Sequence, residues 1–306
     1  MKKSLSPMKL INISGGAIKF IALIACFRKL INSGVKPKAV SGVSAGAIIA
    51  LFYVCGKTEE GFDLAKKSHD RRLIFSRKND PVGRIGGFSF GAICKIITGK
   101  SYAGIMDNLE KNIRSVITPE VFSNYKRDLM NNPDCWVLSI DERTSRKVLV
   151  NLKYLEYESA IRHVIGSSSI APLIKASEVV HKLSRLKLND GGHRDHSAGS
   201  EVLMTGTFDE CITIFSRPEI EEYQDQEVGD TSNFISRLLN FTVKTFNKEV
   251  SINDENKEAT LCQKSKCKYS PIYLKSFVYS NYDITEDQIR QGILIGEKAA
   301  NIYLNS

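Results

Sequence analysis

The sequence lacks any apolar run long enough to cross a bilayer as a helix. Its two most hydrophobic stretches, residues 18–31 and 45–55, fall short of the roughly 20 residues a spanning helix needs, and the first carries Lys19, Arg28 and Lys29. A secretory leader is not expected either, because the apolar run after Lys2, Lys3 and Lys9 is broken at Asn12 and again at Ser14-Gly15-Gly16. There is no disulfide framework: the seven cysteines, Cys26, Cys55, Cys94, Cys135, Cys211, Cys262 and Cys267, are odd in number and mostly isolated in apolar stretches, which fits a reduced, cytoplasmic compartment. Cys262 and Cys267, the one close pair, have no histidine nearby to complete a zinc set. No G-K-[ST] follows the early glycines, which excludes a Walker loop, and the third glycine of a dinucleotide fingerprint is missing. With 42% hydrophobic and 25% charged residues over 306 positions, disorder is excluded as well.

Basic residues are in excess. Lys and Arg number 43 against 34 Asp and Glu, a formal charge of +9, with clusters over residues 66–72, 182–187 and 264–268. Such a balance favours an anionic partner. No zinc finger, aromatic RNA-binding signature or heptad basic region accompanies it, so nucleic acid is not expected, and an anionic membrane surface fits better. The segment 66–78 combines basic residues with the apolar trio Leu73-Ile74-Phe75 and is the expected docking edge. Cytoplasmic residence with transient peripheral membrane association follows.

One stretch organises the rest. A β-rich run entering Gly42-Val43-Ser44-Ala45-Gly46 turns directly into an apolar helical pattern, the G-x-S-x-G arrangement of a nucleophile elbow. Lifting Ser44 out of so sharp a strand-to-helix turn requires Gly42 and Gly46, because a Cβ at either would collide with neighbouring backbone. Ser44 would also stand at a helix N-terminus, where orphan N–H groups favour developing negative charge.

Residues 9–13 read as a first strand that ends on Ser14-Gly15-Gly16, followed by a helix over 17–31 and a second strand over 38–41 that enters the elbow. Strand, helix, strand, helix demands a parallel pair and an α/β sheet, with ligands binding beyond the carboxyl ends of the strands. The glycine turn and the elbow would both lie there. A Gly-Gly turn leading into a helix lets backbone N–H groups approach an oxyanion without side chains in the way. Residues 57–134 are mainly helical, 136–140 and 146–151 form a hairpin or adjacent strands, and 157–165 is a helix followed by a serine run that reads as a helix end or turn, with lining a pocket as the alternative. Residues 186–190 form a strand that stops at Asp190-Gly191-Gly192, placing an aspartate at the sheet's edge. Beyond these, 210–216 and 272–279 read as strands, and 234–250 and 286–303 as helices. No linker divides the chain, so one domain over 1–306 is expected.

The ordered set Ser14 to Lys19, Gly42 to Ala47, 167–172 and Asp190-Gly191-Gly192 resembles the patatin-like phospholipases, with the motif core over about 9–192 and completing elements over 200–306. The resemblance implies a three-layer patatin-like α/β fold, a mainly parallel central sheet with helices on both faces. It implies a phospholipase A-type lipid acyl hydrolase working through a Ser-Asp dyad and an acyl-serine, with no cofactor and no metal. Ser44 would be the nucleophile, Asp190 the base, and the N–H groups of Gly15, Gly16 and Ala17 the oxyanion hole. Lys19, Gly42, Gly46, Gly191 and Gly192 would support them. The family usually has glycines where Ala17 and Phe20 stand. That departure motivates the alternative, a low-activity or inactive lipid- or membrane-binding protein of the same fold. An ordinary α/β-hydrolase needs a serine, an acid and a histidine in that order. Of five histidines only His193 and His196 follow a plausible acid, and a nucleophile after the second strand fits that fold badly. The two are read as polar loop residues, with lining the mouth of the site or binding a metal as the alternative.

Overall fold

A computed structural model describes residues 7–16, 19–67, 70–81, 89–98, 102–170, 173–181, 184–217, 234–274 and 285–306. The elements run β1 (Lys9–Ile13), α1 (Phe20–Asn32), β2 (Ala39–Val43), α2 (Ala45–Val54), α3 (Thr58–Lys66), α4 (Phe90–Ile97), α5 (Asp107–Val116), α6 (Pro119–Arg127), β3 (Asp134–Asp141), β4 (Arg146–Asn151), α7 (Tyr157–Ser167), β5 (Ser177–His181), β6 (Ser184–Asp190), α8 (Gly199–Leu203), β7 (Glu210–Phe215), α9 (Phe234–Ser265), β8 (Lys268–Tyr273) and α10 (Glu286–Leu304). The strands form one sheet in the order β5-β6-β3-β2-β1-β7-β8, with β4 also on β3. The pairs β1–β2, β1–β7, β2–β3 and β7–β8 are parallel, whereas β4 and β6 run antiparallel to β3 and β5 antiparallel to β6. The fold is therefore α/β, with a mostly parallel central sheet flanked by helices.

Alternation along the strands divides the buried residues between two faces. On one face Ile11, Ile13, Val40, Val137, Ile212 and Ile214 join the main apolar core under α1, α2, α7 and α10. Helix α1 buries Ile21, Leu23, Ile24 and Leu30 completely, each contributing about 1.5–3 kcal/mol relative to exposure. Gly296 allows α10 to lie against it, since a methyl group there would overlap the Ala22 carbonyl. The other face is part apolar, with Leu10, Ala39 and Cys211 packed against Val202, Cys262 and Cys267, and part polar.

The polar part is a row. Ser41, Asn12 and Thr213 are direct partners in the register of β2, β1 and β7, and all three are fully buried. Ser41 Oγ donates to Asn12 Oδ1 at 2.8 Å, and Glu258 of α9 closes the row: its carboxyl accepts from Thr213 Oγ1 at 2.7 Å, Asn12 Nδ2 at 3.3 Å, Tyr269 Oη at 3.3 Å and the Ser197 hydroxyl. Asp254, one turn earlier, accepts the Ser197 N–H at 3.2 Å.

These groups explain where sequence and structure part. Periodic apolar residues end near Val250, yet α9 continues to Ser265 because its buried positions there are Ser251, Asp254, Glu258 and Cys262, a helical stripe that is mostly polar. Strand β8 starts four residues earlier than 272, and residues 275–279 of the expected strand lie outside the described residues. The short edge strand β5 escapes the sequence altogether. Leu73, Ile74 and Phe75, expected at a docking edge, are each half-buried, and Ile74 and Phe75 pack against the main core. Among the described residues no helix is long and apolar enough to cross a membrane.

Burial pushes the Glu258 carboxyl up to about 7, with the surrounding hydroxyl donors opposing the shift, and burial first, then the charges of Asp195 and Glu258, raises Asp254 as well. A proton held only by the folded state makes stability fall as pH rises, here between the ordinary glutamate range near 4.3 and about 7 for Glu258, by roughly 1 kcal/mol per pH unit per group. The melting temperature should therefore decline from pH 5 to pH 8, and Glu258→Gln should flatten that decline. A parent and variant with parallel pH dependences would show that Glu258 is ionised in the folded chain.

Candidate active site

Strand β2 ends on Val43 and α2 begins at Ala45, so Ser44 alone makes the turn, with φ 56° and ψ −121°. A non-glycine residue in such a conformation costs on the order of 1–3 kcal/mol and persists only where its surroundings hold it. Here they do. The Ser44 N–H donates to Ser167 Oγ at 3.0 Å, the Ser44 carbonyl accepts from Ser168 Oγ at 3.1 Å and from the Ala47 N–H at 3.0 Å, and Ser167 Oγ donates in turn to the Leu138 carbonyl at 2.6 Å. The Ser44 hydroxyl makes no capping bond to α2. Gly42 and Gly46 are fixed by contact, since a methyl group on Gly42 would overlap the Gly46 backbone and one on Gly46 would overlap the Ile13 carbonyl.

Asp190 reaches the same place through competition for one edge of β3. Residues Trp136, Val137 and Leu138 pair with β2 on one side and β4 on the other, while Ser139, Ile140 and Asp141 pair with β4 and β6. Because β4 occupies the same edge throughout, β6 continues the edge that β2 leaves at the elbow. The two strands run towards each other, and their carboxyl ends meet at Ser44 and Asp190. Gly191 sits in the seam: a Cβ there would stand 2.6 Å from the Leu138 carbonyl oxygen and 3.0 Å from Val43 Cγ1. The Asp190 N–H donates to the Ser169 carbonyl at 2.9 Å, and its Oδ1 accepts the Gly192 N–H at 2.7 Å. Three successive serines at the end of α7 thus hold both residues. The serine run reads as a helix end or turn in the sequence, and nothing in its spacing points to that role.

The glycine turn follows β1 and comes alongside. Lys19 Nζ donates to the Ser216 carbonyl at 2.6 Å, and Ser216 Oγ to the Gly15 carbonyl at 2.5 Å, which ties the turn to the end of β7. The Gly15 N–H donates to the His196 carbonyl at 2.9 Å, so it is committed to backbone, and of the turn's described residues Gly16 is left as the candidate N–H donor. Ala17, the third expected donor, lies outside them. Gly16 is crowded, with Leu23 and Ser216 against the position of a Cβ. Gly15 is not: the nearest atoms to a Cβ there are Ser44 Cβ at 3.6 Å, His196 Nδ1 at 3.8 Å and the Val43 carbonyl oxygen at 3.8 Å. Its missing side chain leaves a small gap open in front of Ser44. Among the described residues no three His, Cys, Asp or Glu side chains are grouped to hold a metal ion.

A family model described as patatin-like phospholipase matches residues 12–197. No curated protein matches the chain. Solved structures with similar architecture include VipD from Legionella pneumophila, at 13% identity and a TM-score of 0.48, covering 98% of this chain and 67% of that one. Another is human GIVD cytosolic phospholipase A2 bound to a methyl gamma-linolenyl fluorophosphonate inhibitor, at 12% identity and a TM-score of 0.48, covering 100% of this chain and 61% of the other. The chain thus spans about two thirds or less of these proteins.

The glycines divide into two kinds, and substitution separates them. Gly42→Ala should lower the melting temperature sharply or abolish soluble expression, because backbone must move to admit the methyl group. Gly15→Ala meets only ordinary contacts and should melt with the parent, yet slow the labelling of Ser44 by a fluorophosphonate about tenfold or more by filling the gap. A destabilised Gly15→Ala would mean that this glycine serves packing after all.

Proposed function

Because the chain belongs to the patatin-like phospholipase family, we propose that it hydrolyses a carboxylic ester of a membrane lipid through Ser44 and Asp190. The observation that carries the reading is the meeting of β2 and β6 along one edge of β3, which sets the strand ends that carry a strained serine and a buried carboxyl next to each other from sequence positions far apart. A serine hydroxyl is a weak nucleophile and needs a base within reach. Asp190 takes the Ser44 proton as Oγ attacks the ester carbonyl, and the negative charge that develops on the carbonyl oxygen is met by N–H groups at the start of α2 and by the Gly16 N–H. The acyl-serine is then released by water. Lys19 takes no direct part, since its ammonium holds the Ser216 carbonyl and so the shape of the turn. Gly192 steadies the Asp190 carboxyl by its N–H.

The substrate lies in a bilayer, and a net charge of +9 supports docking to an anionic surface from the aqueous side, at roughly 1 kcal/mol for each lysine or arginine that approaches it. Co-sedimentation with vesicles should increase with the fraction of anionic lipid and weaken in salt. Equal binding to neutral vesicles would remove electrostatics from the account.

Ser44→Ala should abolish ester hydrolysis and fluorophosphonate labelling while leaving thermal unfolding nearly unchanged. Asp190→Asn, which keeps shape and removes charge, should reduce hydrolysis by about 10²–10⁴. Turnover that survives the loss of Ser44 would place the nucleophile elsewhere. A folded parent that binds lipid vesicles but hydrolyses no ester would favour the lipid-binding alternative.

A further inference from the structure

Ser216, the first residue after β7, turns each of its polar groups to the glycine turn and to Lys19 at its end. It is buried, its N–H donates to Ser14 Oγ at 2.9 Å, its hydroxyl donates to the Gly15 carbonyl at 2.5 Å, and its own carbonyl accepts from Lys19 Nζ at 2.6 Å. Ser14, also buried, donates its hydroxyl to the same Gly15 carbonyl at 3.2 Å. That one carbonyl therefore takes two hydroxyl donors. Ser216 is fixed in turn by its neighbours. Phe215 is fully buried, and the buried Arg217 guanidinium lies over the Phe215 and Tyr273 rings at 4.7 and 5.4 Å, donates to Ser251 Oγ at 2.7 Å and pairs with Glu255 of α9.

The Gly15 carbonyl and the Gly16 N–H belong to one peptide unit, and in a trans peptide the two point in opposite directions. A peptide between two glycines has no Cβ on either side to resist its turning over. Turned over, it would present an acceptor where an ester's developing oxyanion needs a donor, and a carbonyl oxygen repels the charge that an N–H stabilises. Resting on the dyad reading above, we propose that Ser216 is a positioning residue for ester hydrolysis: its hydroxyl, backed by Ser14, holds the Gly15–Gly16 peptide in the orientation that keeps the Gly16 N–H available to the oxyanion. Ser216 acts through Gly16 and needs no contact with the ester. The Lys19 N–H secures the next peptide, donating to the Gly16 carbonyl at 2.7 Å.

The role predicts a loss confined to states that carry the oxyanion, which weakened packing alone would not produce. Three probes of one acyl chain separate the two: a glycerol ester, an alkyl trifluoromethyl ketone whose adduct with Ser44 is a tetrahedral oxyanion, and an ether lipid with no carbonyl to attack. In Ser216→Ala, kcat for the ester should fall about tenfold or more with KM near the parent, and the ketone should bind more weakly by a like factor, while the ether lipid binds as before. Ser216→Cys, of nearly the same shape but a weaker donor, should fall between parent and Ser216→Ala, and it decides the question if Ser216→Ala does not fold. The double variant Ser14→Ala/Ser216→Ala, which leaves the Gly15 carbonyl neither hydroxyl, should approach the roughly 10²–10³ loss of a removed donor. Ser216→Ala, or Ser216→Cys in its place, with parental kcat and ketone affinity, or with equal losses of ketone and ether-lipid affinity, would overturn the positioning role in a parent labelled at Ser44 by a fluorophosphonate. A parent that hydrolyses no ester, or hydrolyses it without that label, would overturn the dyad and this role together.

Discussion

The arrangement depends on forcing Ser44, a residue with a side chain, to turn the backbone between β2 and α2 at a positive φ. Strain of that kind must be offset by neighbours that recognise the peptide itself. Ser167 takes the Ser44 N–H and Ser168 holds its carbonyl, so the end of α7 is moulded to the elbow. Ser167 also donates to Leu138, which anchors the same clamp to β3. The elbow, the end of α7 and the middle of β3 thus form one hydrogen-bonded unit, and none can shift without freeing a buried polar group.

The mixed character of the sheet follows from the same turn. A strand that stops at Val43 leaves the second half of β3 with an unpaired edge, and a buried unpaired edge is costly. Strand β6 fills it from the opposite direction, which is the only way its final residue can face the end of β2. The antiparallel exception in a mostly parallel sheet is therefore what brings a carboxyl to the serine. Gly191 lets the two strand ends close to contact.

Legibility in the sequence tracked the type of constraint. Gly42, Gly46 and Gly191 stand out because close backbone approach admits one residue type, Asp190 because an acidic residue ends a strand before two glycines, and the alternating strands β1, β2 and β3 show because each has an apolar face. The second half of α9 does not, because its buried stripe of Ser251, Asp254 and Glu258 looks like a solvated surface until the polar row on the sheet is known. Ile74 and Phe75 are ambiguous for the opposite reason: a short apolar run beside basic residues has the same composition whether it meets lipid or core, and in the fold both rest half-buried on the core. His196 and the serine run could be read as lining the site or as plain loop residues, and the sequence does not decide between the two, because their partners, Gly15 and Ser44, are distant in sequence and are met through backbone.

Glu258 completes the support of the glycine turn from beneath. Asn12 lies two residues before Ser14, and its side chain is held by Ser41 on one strand and by Ser197 and Glu258 from the layer beyond the sheet. Gly199 leaves room for the Glu258 carboxyl, which a methyl group there would overlap. From above, Ser216 and Lys19 bind the turn to β7. A turn gripped on both sides cannot reorganise when charge develops beside it, and fixed donors are worth most where they need not move. The position a Gly15 side chain would take stays open within that frame, next to Ser44 and His196.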